Sequence, residues 1–161
     1  MLEESETGFY LISEYKGQDD LLPIKTTKLS AGYDFKAAED VVIPAFEPGT
    51  KPVMVPTGVK CKLNPDQVLL CFNRSSNPLK RGLVLANGVG VIDADYYDNP
   101  NNEGHIAGIF YNYNTEPYRI KRGDRIMQGV VVNYQNLAKA SITDADRTGG
   151  FGSTGTGKAD D

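Results

Sequence analysis

The sequence is poor in the residues that build metal centres and disulfide frameworks. It has no tryptophan, one histidine and two cysteines, Cys61 and Cys71. A zinc site with the usual four ligands and a framework of several disulfides are therefore excluded. We predict that both cysteines are small apolar residues buried in strands.

Long apolar runs and a surplus of positive charge are also missing. No run of about 18 apolar residues is present to span a bilayer, and residues 1–7 carry three glutamates in place of the apolar segment of a signal peptide. The net charge is -4, whereas nucleic-acid binding relies on a basic surface. The sequence thus predicts a cytoplasmic protein that contacts neither a membrane nor, directly, a nucleic acid.

What the chain does contain favours β-structure. Its 161 residues fit one domain, and its 17 glycines indicate many turns. Short β-rich runs separated by turn signals predict a sandwich or barrel. The predicted strands cover residues 9–12, 21–25, 31–35, 41–44, 50–59, 68–72, 89–92, 106–112, 125–132 and 141–143. Asn87-Gly88 predicts a hairpin turn, and residues 75–81 predict one short helix with Pro78 at its first position.

Residues 88–97 combine a strand with groups that can carry chemistry. The apolar, β-branched run at residues 89–92 predicts a buried strand that ends at Asp93. A carboxylate at the end of a core strand is costly unless it has a task or a partner. Tyr96 follows closely, so an acid and an aromatic face could grip a flat ligand beside a reacting group. The alternative is a strand end at which Asp93 and Asp95 are merely solvated.

The last part of the sequence changes in composition. Residues 147–158 contain five glycines and a single large apolar residue, Phe151, so we expect a flexible arm. Gly150-x-Gly152-x-x-Gly155 satisfies the dinucleotide-binding pattern, and Gly152-x4-Gly157-Lys158 is similar to a P-loop. Both motifs work by opening a helix, and only three residues follow Lys158 in this sequence, so neither interpretation is adopted.

Five segments, in this order, resemble the five motifs of the trimeric deoxyuridine triphosphatase (dUTPase) family. They are Ala31-Gly32-Tyr33-Asp34-Phe35, Arg74-Ser75-Ser76, Asn87 through Tyr96, Gly123-Asp124-Arg125-Ile126-Met127-Gln128, and Arg147 through Gly155. The resemblance spans roughly residues 24 to 157. It implies an all-β, jelly-roll-like barrel over residues 1–140 and a flexible C-terminal arm over residues 141–161. It also implies a homotrimer whose active sites are each built from several subunits.

The resemblance further implies hydrolysis of dUTP to dUMP and pyrophosphate, by water attack on the α-phosphate. Such an activity limits uracil incorporation into DNA and supplies dUMP. Asp93 resembles the carboxylate that activates the water, and an aspartate is ionised at neutral pH. Tyr96 resembles the ring under the deoxyribose, and Asn87 resembles the amide that reads the uracil edge. The alternative is that Asn87 is a plain turn residue.

The resemblance also implies contacts to the phosphates and the base. The residues concerned are Arg74, Ser75, Ser76, Gln128, Arg147, Phe151, Gly152, Ser153 and Thr154. Asp34 resembles the carboxylate that orients waters around a Mg²⁺ ion bound to the phosphates. The alternatives are that Arg74 and Arg147 are solvated surface charges. For Asp124 and Arg125 we favour a structural pair.

Residues 97–103 look like an insertion at a place where many family members turn tightly. They leave open a second hypothesis, that the chain is a regulatory protein of the same fold which acts through protein contacts at this loop. The presence of both Asp93 and the arm favours catalysis. Deamination of dCTP on the related fold would need a catalytic glutamate, for which Glu103 and Glu116 are the nearby candidates.

Overall fold

The computed structural model describes residues 5–142 and 145–151, and this part of the chain is built from strands. They are β1 (Gly8–Leu11), β2 (Tyr33–Lys36), β3 (Val41–Ile43), β4 (Val53–Pro56), β5 (Val59–Lys62), β6 (Gln67–Asn73), β7 (Leu83–Leu85), β8 (Val89–Asp93), β9 (Ala107–Asn112), β10 (Tyr118–Ile120) and β11 (Arg125–Asn133). The helical elements are short turns: Ser13–Tyr15, Asp19–Leu21 and Ala94–Tyr96 are 3-10 helical, and Asn77–Arg81 is π-helical. Within these residues no helix has the length and apolar character needed to cross a bilayer.

The strands form two larger sheets and two short ladders. A four-stranded sheet has the order β2-β11-β6-β8, and a three-stranded sheet has the order β4-β9-β7. The pairs β1-β5 and β10-β3 form the ladders, and every strand pairing is antiparallel. The predicted all-β class is therefore confirmed.

One main hydrophobic core joins these sheets. Fully buried side chains such as Phe35 and Leu69 come from the four-stranded sheet, and Val55 and Phe110 come from the three-stranded sheet. Gly129 on β11 lets this core close, because a Cβ atom there would lie 2.7 Å from Phe35 and 2.8 Å from Leu69. The close-packed core makes a rigid frame for side chains at the strand ends.

The strand predictions need correction in several places. Residues 21–25 are not a strand: Leu21 ends a 3-10 turn and is fully buried, and Ile24 makes a single bridge to Asp34. Residues 50–59 are not one strand, because the chain turns at Thr57-Gly58 and continues as β5. The strands β7 and β10 were not predicted, since three residues each are too short to show an alternation.

The prediction for residues 87–92 is right in part. β8 exists, but it is the edge strand of its sheet, and Val89 and Val91 are exposed rather than buried. The turn at Asn87-Gly88 also exists, with Gly88 at φ 74°. It does not close a hairpin, because β7 pairs with β9 while β8 pairs with β6.

Other local predictions are confirmed. Cys61 and Cys71 lie on β5 and β6, buried and unpaired, and burial raises the pKa of the Cys71 thiol to about 12. The short helix is present, with Ser76 before its first turn and a proline within that turn. By contrast, the strand predicted over residues 141–143 is wrong for Ser141 and Ile142, which form none, and Thr143 lies outside the described residues.

Candidate active site

A cavity of about 180 Å³ opens beside β8. Asn87, Tyr96 and Phe151 line it together with side chains from the core. Pockets that hold a whole drug-sized ligand start at about 300 Å³, so this cavity has the size for a flat ring and part of a sugar. Three of the residues predicted to contact the nucleoside are thus brought to one place.

Asp93 ends β8 at the edge of this cavity, beside Arg147. The Arg147 guanidinium donates from one terminal nitrogen to Asp93 Oδ2 at 2.5 Å and from Nε to Asp95 Oδ1 at 2.7 Å. Its side chain is 20% exposed, against 49% for Asp93. Because a planar guanidinium suits carboxylates held in fixed positions, Arg147 is a bound cation here, and the alternative of a freely solvated charge is not what the structure shows.

Tyr96 lines the cavity with a buried side chain. Its ring is 4% exposed, and its hydroxyl donates to the carbonyl of His105 at 2.6 Å and accepts from Asn102 Nδ2 at 2.9 Å. Burial raises the pKa of this hydroxyl, which the hydrogen bond from Asn102 and the charge of Arg147 oppose. The Arg147 guanidinium carbon lies 5.8 Å from the ring centroid. The ring is therefore fixed by polar contacts at its far edge.

A second group of predicted site residues surrounds Arg74, directly after β6. Arg74 Nε donates to Asp34 Oδ1 at 3.2 Å, and Arg125 donates to Asp34 Oδ2 at 3.1 Å. The Arg74 guanidinium also contacts Ser76 Oγ at 3.4 Å. Ser75 is exposed in the adjoining turn. We call Asp34, Arg74, Ser75, Ser76, Arg125 and Gln128 the Arg74 cluster.

Gln128 joins this cluster from β11. Its Nε2 donates to the carbonyl of Asn73 at 3.4 Å, and its Oε1 would lie 2.7 Å from a Cβ atom at Gly32. Gly32 therefore lets the backbone pass close to Gln128, and a side chain at position 32 would displace it. This close approach ties the first predicted motif to the fourth.

Asp93 and the Arg74 cluster lie at opposite ends of the four-stranded sheet. Asp93 pairs with Val68 on β6, whereas Arg74 follows Asn73, the last residue of that strand. At about 3.4 Å of rise per residue, the two positions are about 20 Å apart along the strand. Within one chain, the structure thus keeps the predicted phosphate-binding residues of the Arg74 cluster away from the predicted catalytic carboxylate.

Comparison with known proteins decides the family. Residues 20–155 match the family model described as dUTPase. The deoxyuridine 5'-triphosphate nucleotidohydrolase of Lactococcus lactis subsp. lactis is 44% identical over 154 residues, which cover 92% of this chain and 97% of that protein. The chain belongs to the dUTPase family.

Solved dUTPase structures agree with this fold. The crystal structure of dUTPase from Streptococcus mutans is 46% identical, covers 82% of this chain and 99% of that one, and has a TM-score of 0.77. A dUTPase from phage phi11 of S. aureus, whose structure concerns the coordination of a structural Mg(II) ion, covers 85% and 96% with a TM-score of 0.65. At 22% identity, that second likeness shows the fold alone. The jelly-roll fold of the dUTPase family is thus the fold of this chain.

The remaining site residues differ in what the structure says of them. Three predicted ones lie outside the described residues: Gly152, Ser153 and Thr154. Arg125 pairs with Asp34, so the predicted structural pair with Asp124 is wrong; Asp124 instead accepts from the backbone of Lys121. Sequence reasoning also missed Asn102, which contacts Tyr96. The only available signal was the density of asparagines in residues 99–102, which indicates a turn rather than a site.

Proposed function

We propose that this protein hydrolyses dUTP to dUMP and pyrophosphate by attack of water on the α-phosphate, which limits uracil in DNA and supplies dUMP. The observation that carries the proposal is the position of Asp93, at the end of β8 and beside a ring-sized cavity lined by Asn87 and Tyr96. The Lactococcus lactis relative is named for the same substrate. Both the arrangement and the family point to a nucleoside triphosphate that carries a small flat base.

Asp93 has the properties of a general base for water. It is half exposed, so a water molecule can reach it, and the backbone of β8 fixes its position. Arg147 occupies Oδ2, and the carboxylate keeps a second oxygen, Oδ1, with which it can accept the proton of an attacking water. Arg147 also brings a positive charge to the place where negative charge develops on the phosphate oxygens.

Asn87 and Tyr96 select the nucleoside. The Asn87 amide can donate and accept at once, as the edge of uracil requires. The ring of Tyr96 offers no partner to a ribose 2′-hydroxyl, and an unpaired buried hydroxyl costs about 1–3 kcal/mol. Phe151, which also lines the cavity, can stack on the base. We therefore propose a preference for deoxyuridine nucleotides over UTP.

We further propose a homotrimer whose active sites are shared between subunits. The support is the distance of about 20 Å within one chain between Asp93 and the Arg74 cluster. A triphosphate at Asp93 can meet Arg74, Ser75, Ser76 and Gln128 only if another subunit presents them. In this arrangement Gly152, Ser153 and Thr154 of the arm supply further contacts to the phosphates.

A magnesium ion fits this site as a companion of the triphosphate. Among the described residues no group of three or more histidine, cysteine, aspartate or glutamate side chains is placed to hold a metal. Magnesium takes phosphate oxygens and keeps several waters, so a dense ligand set is not required, and the ion supplies charge neutralisation of the phosphates. Both oxygens of Asp34 accept from guanidinium groups; with its remaining lone pairs it can orient waters of the ion, the role predicted for it.

The proposal is tested by incubating the protein with each deoxynucleoside triphosphate and with UTP, with and without Mg²⁺, and measuring pyrophosphate. We expect release from dUTP with Mg²⁺ and little from the other nucleotides. Asp93→Asn is the matched inactive control, because it keeps the shape of the side chain. Hydrolysis of all nucleotides alike, or of none, would contradict the proposal. Light scattering tests the trimer separately.

The regulatory alternative stays a prediction. The loop that it invokes, residues 97–103, buries Asn99 to 4% exposure and directs Asn102 at Tyr96. This packing gives the loop a role at the site itself.

A further inference from the structure

The loop at residues 97–103 contains a closed network of side-chain amides. Asn99 accepts at Oδ1 from the backbone N–H groups of Asn101 and Asn102, at 3.0 and 3.2 Å. Asn99 Nδ2 donates to Asn102 Oδ1 at 2.6 Å. Asn102 Oδ1 also accepts from the N–H of Gly104 at 3.1 Å. Each amide thus fixes the other, and neither is free to rotate.

Both ends of this network reach Tyr96. Asn99 Nδ2 donates to the Tyr96 carbonyl at 3.0 Å, and Asn102 Nδ2 donates to the Tyr96 hydroxyl at 2.9 Å. Gly104 packs against the same residue, since a Cβ atom there would lie 2.5 Å from the Tyr96 carbonyl oxygen. The loop therefore holds Tyr96 by its backbone and by the tip of its ring.

The loop and the residues that follow it are attached to the rest of the molecule at several places. Glu103 accepts from the N–H and the hydroxyl of Ser13, at 3.1 and 3.0 Å. Asp98 forms an ion pair with Lys60 at 2.7 Å. His105, which follows Gly104 just after the loop, accepts at Nε2 from the N–H of Gly58 at 2.9 Å. These contacts turn the network into a fixed support rather than a mobile insertion.

We propose that Asn102 is a positioning residue that sets the discrimination between deoxyribose and ribose by holding the ring of Tyr96. This inference rests on the proposed hydrolysis of dUTP. dUTP carries only hydrogen at the position where UTP carries the 2′-hydroxyl, so it tolerates a displaced ring. UTP needs the ring to move away. A donor that fixes the ring therefore weakens the use of UTP more than it strengthens the use of dUTP.

The loss of Asn102 leaves the Tyr96 hydroxyl with one partner, the carbonyl of His105. One hydrogen bond then acts as a hinge, about which the ring can tilt, whereas two hydrogen bonds define its plane. A net hydrogen bond corresponds to a factor of up to about tenfold in an equilibrium. We expect changes of that size in the selectivity for dUTP over UTP.

The experiment compares kcat/KM for dUTP and for UTP in variants of the full-length chain. Asn102→Ala removes the whole amide. Asn102→Asp keeps the shape and the acceptor for Asn99 and Gly104 and replaces the donor to Tyr96 by a charged carboxylate oxygen, so it serves if the alanine variant does not fold. Asn101→Ala is the matched control, an exposed asparagine in the same loop. Both Asn102 variants should lower the dUTP-to-UTP ratio by up to about tenfold, and the control should leave it unchanged.

A double-mutant cycle with Tyr96→Phe identifies the path of the effect. Tyr96→Phe removes the acceptor for Asn102 and keeps the ring, so Asn102→Ala should change the ratio no further in that background. Equal losses for both nucleotides, or a lower melting temperature with an unchanged ratio, would show a purely structural role and overturn the inference. Additive effects in the cycle would do the same. A wild-type chain that releases no pyrophosphate from dUTP contradicts the proposed function itself, and this inference with it.

Discussion

Replacing Gly150 by alanine tests whether the chain beyond β11 packs on Tyr96 during turnover. A Cβ atom at Gly150 would lie 2.5 Å from Tyr96 Cε2 and 3.2 Å from Cζ, well inside van der Waals contact. The ring cannot yield, because its hydroxyl is bonded to His105 and Asn102. The backbone of residues 147–151 must therefore move by about 1 Å to restore a normal carbon contact.

That shift carries Arg147 and Phe151 away from the positions they hold beside Asp93 and the cavity. A misplacement of about 1 Å in a substrate-positioning group can cost about 10²-fold in rate, so we expect kcat for dUTP to fall by about that factor. Stability without nucleotide should hardly change, because Gly150 follows the last strand of the described residues and belongs to none of their sheets.

The assay is pyrophosphate release, with the melting temperature measured in parallel. Thr148→Ala, an exposed neighbour on the same segment, is the control and should behave as wild type. A Gly150→Ala protein with wild-type turnover would refute the packing of this segment on Tyr96. A large loss of melting temperature would instead mean that the segment belongs to the folded core.

Three further predictions concern single side chains. Asp93→Asn should keep dUTP binding, measured by calorimetry, and lose about 10²–10⁴-fold in hydrolysis, because the amide cannot accept the proton; near-normal turnover would remove Asp93 from the role of base. Tyr96→Ala should raise the use of UTP relative to dUTP in the same assay, and an unchanged ratio would mean that another group senses the 2′ position. His105 is the only histidine, so its ring signal in an NMR titration of untagged protein is unambiguous. We expect its pKa to lie below the ordinary 6.5, because burial disfavours the charged ring. The charges of Glu39 and Glu103 oppose this shift. The neutral ring accepts from Gly58, so its contribution to stability is present above about pH 6.5 and is lost as the pH falls; a pKa at or above 6.5 would contradict this.

The sequence was informative where local chemistry decides the structure. The long strands β6, β9 and β11 follow from β-branched and aromatic runs between turn signals. The turn at Asn87-Gly88 was equally clear. Its two flanking strands nevertheless pair in different sheets, because the choice of partner depends on contacts far along the chain. The same limit made residues 89–92 look like a core strand, since composition does not distinguish an edge strand from a central one.

The candidate site shows the same division. The resemblance to known motifs named Asp93, Asn87 and Tyr96. The structure places Asn87 and Tyr96 in the lining of one cavity and pairs Asp93 with Arg147, which also lines it. The role of Asn102 could not be foreseen, because it depends on a loop in which Asp98 and Glu103 adopt φ values of 55° and 61°. Such conformations are rare for residues other than glycine and are not predictable from composition.

The distance between Asp93 and the Arg74 cluster has a consequence for how the enzyme responds to its own concentration. If each chain carries only part of a site, dilution below the dissociation constant of the assembly leaves folded chains without complete sites. Substrate that bridges two chains binds the assembled form and not the separate chains, so it favours assembly by mass action. Bound nucleotide then helps to stabilise the contacts between subunits. The specific activity therefore rises with the concentration of the protein and with the concentration of the substrate.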